Sequence, residues 1–550
     1  MRGDDLGCQH ARSNRPTNRV ALFFVLIAFT LGCVDSFDLG VGAFEIDQEG
    51  AILWTHVTTT DPKVSRVGVF VEVATDADFT DVVRFRSAIT KDVVDFTVRA
   101  KIRGLEPATR YYYRFSALRG LHSGFLHSRV GSFTTAPLPS SSEPVRFVIS
   151  GDSNLGYTSR EGFDFHVLSA AAAESPTPDF FVYFGDTIYA DSGVLPSGDA
   201  QTLDEYREVH RLTRADPHLQ NLLAATGTFT GWDDHEVRND YDGETVDPAQ
   251  FEAGARAFFE YLPVRSHPGS APFRTDRSIR WGRDVELFFL DGRQFRSQEF
   301  FCNPDPIEDG PESEFSLFSP FQEDEAIVFA LDPALAPLTD PILKPSDPDC
   351  VADLLAAPGR TILGAEQLAR LKQALVDSDA TFKIIINNTP IATLFVTPYD
   401  RWDGYLVEQQ ELLSFIAANL DPTRTLVLTT DFHTNMAIQR PELTEVIVGP
   451  IGQTTFRTSV TALLPPPLDA LPDLALALFD TIVDVANGGL PPLQSAVLGV
   501  EHDAFGYAVI DVFEVAGETR LQLTARGNRN YAAGANDPAD VEDLFTLVMP

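Results

Sequence analysis

The stretch Asp179 to Asp191, DFFVYFGDTIYAD, decides the fold. Its apolar run Phe180 to Phe184 is short for a helix and long enough for a buried strand. It stops at Gly185-Asp186, where a glycine and a short acid favour a turn. The same grammar recurs on both sides. Val145 to Ser150 runs into Gly151-Asp152, Val285 to Leu290 into Asp291, Lys383 to Ile386 into Asn387-Asn388, and Leu426 to Thr430 into Asp431. One strand ending in Asp is an ordinary turn. Five in series, with helical stretches between them, predict a layered α/β fold whose polar strand ends share one edge, where such folds bind ligands.

The texture upstream is different. Ala51 to Val57, Val67 to Ala74, Val82 to Arg86, Phe96 to Ile102, Tyr111 to Ala117 and Val130 to Thr134 alternate and are separated by turn residues. That spacing predicts an all-β sandwich. Ala136 to Glu143, rich in Pro and Ser, reads as a linker. The expected organisation is therefore a leader over 1–33, a β-sandwich over 37–136 and an α/β catalytic domain over 144–550. Within the last, 301–358 is acidic and Pro-rich. It is expected to be a surface insertion, or a lid over the site. The apolar stretch Leu468 to Val483 is broken by Asp469, Asp473 and Asp480, which favours an amphipathic or buried helix over a membrane span.

The chain has 550 residues and 44% apolar content, enough for a sizeable core. It carries 42 Lys and Arg against 79 Asp and Glu, a formal charge of -37. Such a surface repels nucleic acid and anionic lipid, which excludes a scaffold role on DNA. A small phosphate ester remains an acceptable substrate, because bound cations invert the local field. A monomer is expected.

Arg12, Arg15 and Arg19 precede an apolar run from Val20 to Leu31. The run is short for a membrane span and suits an export signal. It ends in Thr30-Leu31-Gly32-Cys33, similar to a bacterial lipobox except for Thr30. Cys33 is the candidate lipidation site, which would leave a lipid anchor as the chain's one link to a membrane; an ordinary signal peptide is the alternative. The protein is expected outside the cytoplasm, in the periplasm or at the cell surface. Cys302 and Cys350 bracket the insertion, as a disulfide or as two thiols.

Three motifs carry chemistry. Gly185-Asp186-Thr187-Ile188-Tyr189 offers a carboxylate able to bridge two cations and a phenol that, once ionised, is a hard ligand for a trivalent metal. Trp232-Asp233-Asp234-His235-Glu236-Val237 packs acids beside an imidazole. Asp234 can ligate a metal while His235 faces the substrate as proton donor. Asp431-Phe432-His433, read as extended, places its first and third side chains on one side.

These motifs resemble the PhoD-like alkaline phosphatases, a family with a calcineurin-like metallophosphoesterase core. DFFVYFGDTIYAD and WDDHEVRNDY (Trp232 to Tyr241) are similar to its most specific signatures. LFFLDGRQFRS, TILGAEQLARL, RWDGY and TTDFHTN follow in the family's order, from Leu287, Thr361, Arg401 and Thr429 respectively. AILWTHV, VEVATDADF and GLEPATRYYYRF resemble its N-terminal fibronectin III-like domain. The resemblance implies a four-layer α/β core behind an all-β sandwich. It implies a binuclear or larger cluster of iron with calcium, manganese and zinc being alternatives. Asp152, Asp186, Tyr189, Asp234, Asp431 and His433 would be its ligands. Asn388 or its neighbour Asn387 would add an amide oxygen. A metal-bound hydroxide would attack phosphorus, with His235 assisting the leaving group. Arg293 would clamp phosphate or form a structural ion pair. A catalytically silent cell-surface binding protein and a phospholipase D-like hydrolase are the competing readings. Two departures stand out. Asp152 replaces the family's usual cysteine, and Asn154 occupies the position of the histidine of ordinary metallophosphoesterases. Thr430 stands where glycine is common, a change expected to affect packing alone.

Overall fold

The computed structural model describes residues 32–120, 124–265, 272–298, 357, 359–394, 401–463, 472–486, 496–529 and 537–550. The expected insertion at 301–358 lies almost wholly outside them, as do Cys302 and Cys350. A nine-stranded sheet runs in the order Glu542–Met549, Glu518–Asn528, Phe505–Val515, Val145–Ser150, Phe180–Phe184, Gly227–Gly231, Val41–Asp47, Gly50–His56, Thr97–Ile102. A seven-stranded sheet runs Arg277–Trp281, Val285–Phe289, Phe382–Asn387, Thr425–Thr429, Thr444–Ile447, Asn435–Gln439, Val497–Glu501.

Period-two alternation sorts the residues of these strands. Phe180, Val182 and Phe184 face Val285, Leu287, Phe289, Ile384 and Ile386 in a core between the two sheets. Phe181 and Tyr183 point the other way, against helices His166–Ala172, Pro217–Ala225 and Pro248–Tyr261. Ile385 and Val427 face helices Gly364–Asp377 and Leu406–Asn419. The result is helix, sheet, sheet, helix: the layered α/β fold expected from the strand series, in the four-layer form that the family resemblance implies. Two of the helices begin at Asp-Pro. Asp216 and Asp247 each accept a backbone N–H of the first turn, at 2.8 and 2.9 Å, while Pro217 and Pro248 occupy a position where no donor is needed. The stretch around Leu468 to Val483 yields helix Pro472–Ala486. Among the described residues no helix is long and apolar enough to cross a membrane.

The N-terminal region is β-rich as expected, with one difference. Strands Val82–Lys91, Arg66–Ala74, Arg110–Gly120, Gly124–His127 and Gly131–Thr134 form their own sheet. The opposing layer is not separate: Val41–Asp47 pairs in parallel with Gly227–Gly231, so three N-terminal strands extend the nine-stranded sheet. Composition could not show this, because Gly227–Gly231, sequence GTFTG, carries little strand signal. Buried contacts secure the junction. Glu45 Oε1 meets Arg277 Nη2 at 2.6 Å, and Trp54 Nε1 donates to Glu260 O at 2.8 Å.

Cys33 is disulfide-bonded, and its partner lies outside the described residues. Gly32 N donates to Arg66 O at 2.8 Å, so the backbone there is paired with the sandwich.

Candidate metal centre

The parallel strands of both sheets deliver their polar ends to one place. Asp152, Asp186, Asp431 and His433 all have left-handed backbones, with φ of 57°, 49°, 71° and 48°. Non-glycine residues adopt this conformation at a cost of about 1–3 kcal/mol each, and such strain gathers where the surroundings over-determine a site. The extended reading of Asp431-Phe432-His433 is corrected by these angles. The two side chains reach the cavity through a turn, and strand alternation does not place them. Gly151 lies beneath: a Cβ there would come within 2.3 Å of Phe184 O. A Cβ on Gly449 would stand 2.7 Å from Asp152 Oδ2.

Two groups of ligand atoms lie within 4.8 Å of one another: Asp152, Asp186 and His433, and Asp186, Asp234 and His235. Asp186 belongs to both, the position a bridging carboxylate needs. Tyr189 OH is 3.1 Å from His433 Nε2, and its ring stacks on His235 at 4.0 Å between centroids. Asp152 Oδ1 accepts the backbone N–H of Asp431 at 3.1 Å. Asp234 Oδ2 accepts Asp240 N at 2.6 Å. Asp152 Oδ2 and Asp234 Oδ1 are buried and accept no hydrogen bond from the described residues. Buried acid oxygens without donors are expensive unless a cation faces them, so the residues present fit a metal cluster.

The electrostatics agree. Burial, and then Asp431, push the Asp152 carboxyl well above its ordinary range. Burial pushes Asp186 up as well, with Asp234 and Asp233 adding to it against the opposing charge of His235. Burial, then Asp186 and Asp152, hold the proton on Tyr189. For Asp234 burial acts upward, but Arg293, His235 and the Asp240 N–H outweigh it and the carboxyl stays ionised. His235 is held protonated by Asp191, Asp186 and Asp234 against its burial. Burial, then His235, push His433 down to about 3, leaving a neutral imidazole suited to ligation.

Four further residues build the site, and the sequence reading gave them no role. Asp191 Oδ1 is 2.7 Å from His235 Nδ1, and its Oδ2 accepts Asn239 N at 2.5 Å. Glu236 takes Thr187 N and Oγ1 at 2.6 Å and Asp233 N at 2.9 Å, stapling two motif loops together. Asp233 Oδ1 accepts from Arg293 Nε at 2.5 Å. Arg401 Nη1 stands 3.3 Å from Asp431 Oδ2. The signal for Asp191 was its distance from Asp186 within a single loop; for Asp233 and Glu236 it was adjacency to Asp234 and His235.

Other expected residues fall differently. Arg293 is fully buried against Asp233, with Asp234 Oδ1 3.6 Å from its Nη2, which is the geometry of the structural ion pair. Asn388 Oδ1 accepts Gly292 N at 2.9 Å and its amide donates to Trp232 O. Asn387 Oδ1 is buried and accepts no hydrogen bond from the described residues. Asn154 caps helix Leu155–Glu161 through Tyr157 N and accepts Ser192 Oγ, both at 2.9 Å. Thr430 does more than pack: its hydroxyl donates to Phe184 O at 3.2 Å, tying the two sheets at their ends.

A family model described as PhoD-like phosphatase matches residues 148–516, and one described as PhoD-like phosphatase, N-terminal domain, matches 33–137. Alkaline phosphatase D of Bacillus subtilis (strain 168) is 26% identical over 437 residues, which is 73% of this chain and 65% of that protein's length. A solved structure of PhoD superposes with a TM-score of 0.67 at 20% identity, covering 92% of both chains. A purple acid phosphatase from yellow lupin seeds gives 0.49 at 12% identity, over 92% of this chain and 73% of its own. With two thirds of its length inside the catalytic family model and the preceding segment inside the companion model, the chain belongs to the PhoD-like phosphatase family.

Proposed function

We propose that the protein hydrolyses small phosphate esters, mono- or diesters, at a cation cluster held by Asp152, Asp186, Tyr189, Asp234, Asp431 and His433. The observation that carries this reading is the pair of buried, donor-less oxygens on Asp152 and Asp234 flanking the shared Asp186. Bound there, iron and calcium would neutralise the carboxylates, draw the proton from the Tyr189 phenol, polarise a phosphoryl oxygen and acidify a water. Hard oxygen donors, joined by the single imidazole of His433, suit those ions.

The chain's own residues divide the remaining work. His235, kept protonated by Asp191, presents Nε2 as proton donor to the departing alkoxide. Asp191 is a positioning residue, since it acts through that imidazole. Arg293 balances Asp233 and Asp234 from below. We therefore move the role of phosphate clamp to Arg401, which stands beside Asp431 at the cavity. Asn387, with its unengaged amide oxygen, is a better ligand candidate than Asn388. We assign the chemistry to 144–550 and the support of its sheet to 37–136. The Arg12, Arg15, Arg19 and Val20–Leu31 pattern supports export.

Elemental analysis of purified protein, paired with turnover of aryl phosphate mono- and diesters, tests the reading. Bound iron and calcium with activity lost on chelation is the expected result. Metal-free protein that stays inactive after adding iron, calcium, manganese and zinc would overturn it.

A further inference from the structure

On the helix-covered face of the nine-stranded sheet lies a second buried charge. Arg214, the last residue of helix Leu203–Arg214, is 2% exposed, and none of its three side-chain nitrogens has a hydrogen-bond partner among the described residues. The guanidinium lies 4.2 Å from the centroid of the Trp54 ring and 6.0 Å from that of Phe44. Thr213 Oγ1 and His210 Nε2 are also buried without a partner among the described residues. His210 stands three residues before Thr213 and four before Arg214, so its side chain neighbours both on the helix surface. His210 stacks on Tyr261 at 5.0 Å, and Tyr261 leans on Trp54 at 5.9 Å.

The carboxylates of the surrounding elements are committed elsewhere. Glu260 accepts from Arg207 at 2.7 Å and Arg256 at 3.2 Å. Asp95 serves Arg211 and the Tyr261 hydroxyl. Asp216 caps the next helix through Leu219 N at 2.8 Å. A guanidinium taken out of water without a counter-charge costs far more than an aromatic face returns. Burial, then Arg214, push His210 down to about 3, so the imidazole is neutral and its Nε2 can carry a proton to donate.

We propose that this pocket holds a small monovalent anion of the size of chloride, bound by the Arg214 guanidinium, the Thr213 hydroxyl and His210 Nε2–H between the rings of Trp54, Phe44 and Tyr261. One formal positive charge, neutral donors and apolar walls match a weakly hydrated halide. A phosphate dianion would leave excess buried charge. Trp54 and Phe44 come from the N-terminal strands and Arg214 from the catalytic segment, so the anion completes the joint between them.

The test is thermal unfolding of the full-length protein in sodium gluconate, with chloride or bromide exchanged in at constant ionic strength. The unfolding midpoint should rise saturably by about 2–4 °C. The rise should vanish in Arg214→Met, and in Thr213→Val it should need about 5–10-fold more halide, one lost hydrogen bond. Crystals of the unaltered protein grown in bromide should show an anomalous peak beside Arg214, a readout independent of whether either variant folds. A midpoint indifferent to halide, a rise that survives undiminished in Arg214→Met, or water at the bromide position would each overturn the proposal.

Discussion

The proposed metal centre, at the ends of both sheets, and the proposed Arg214 pocket, on one face of the nine-stranded sheet, are opposites. The first gathers Asp152, Asp186 and Asp234 on backbones of which two are left-handed, and has more acid than its cations balance. The second puts one arginine at the end of a regular helix, with no acid opposite it. Both are buried, yet one is assembled from loops that motifs announce and the other from ordinary elements that announce nothing. Uncompensated buried charge points to a ligand of opposite sign whether or not the local sequence is distinctive.

Substitutions sharpen the contrast. The largest effect is expected from Asp186→Asn, the ligand proposed to be shared. Turnover should fall by about 10³-fold or more, with loss of bound metal by elemental analysis. Unchanged metal content would break the two-cation reading. Next comes a matched pair. Arg293→Met strands Asp233, so urea unfolding should show a loss of about 3–5 kcal/mol. Arg214→Met strands nothing, and in halide-free buffer it should be neutral or stabilising. Equal losses in the two would erase the distinction between a paired and an unpaired buried arginine. Asp191→Asn should lower turnover about 10–100-fold with metal content retained, and should shift the basic limb of the pH profile downward, because the imidazolium loses its supporting charge. A variant with the same pH profile and reduced metal would make Asp191 a scaffold residue. The smallest effect is expected at Asp179, where burial raises the carboxyl to about 6 despite the N–H of Arg146 at 2.9 Å. The folded state then keeps a proton that the unfolded chain releases near pH 4, so stability is lost as pH rises from about 4 to 6. Asp179→Asn should raise the unfolding midpoint by about 1–2 °C above pH 7, with the gain gone by pH 4; a gain independent of pH would exclude ionisation as its cause.

Much of the catalytic half was legible because strand and turn speak in adjacent residues. Phe180 to Phe184 followed by Gly185-Asp186 announces a strand, its end and a ligand within seven positions. Gly227–Gly231 was not legible, since glycines and threonines carry little hydrophobic pattern, and with it went the parallel pairing to Val41–Asp47. The division of labour among Asp233, Asp234 and Glu236 was also hidden. Three acids within four positions look alike in sequence, and only the fold turns Asp234 toward the cavity, Asp233 toward Arg293 and Glu236 toward Thr187. Arg214 reads as a basic residue complementing a helix C-terminus, and Trp54, which covers it, is far away in the chain.

The shared sheet has a consequence for timing. Ala43 leaves the ribosome roughly 180 residues before its parallel partner Gly227. At about 5–20 residues per second that is a delay of about 9–36 s. Throughout it the N-terminal strands have a hairpin partner on one side and an open edge on the other, the kind of edge that invites pairing with another chain. A chaperone or export factor that keeps this chain unpaired during synthesis should therefore matter most to its first hundred residues, the part that carries none of the proposed ligands.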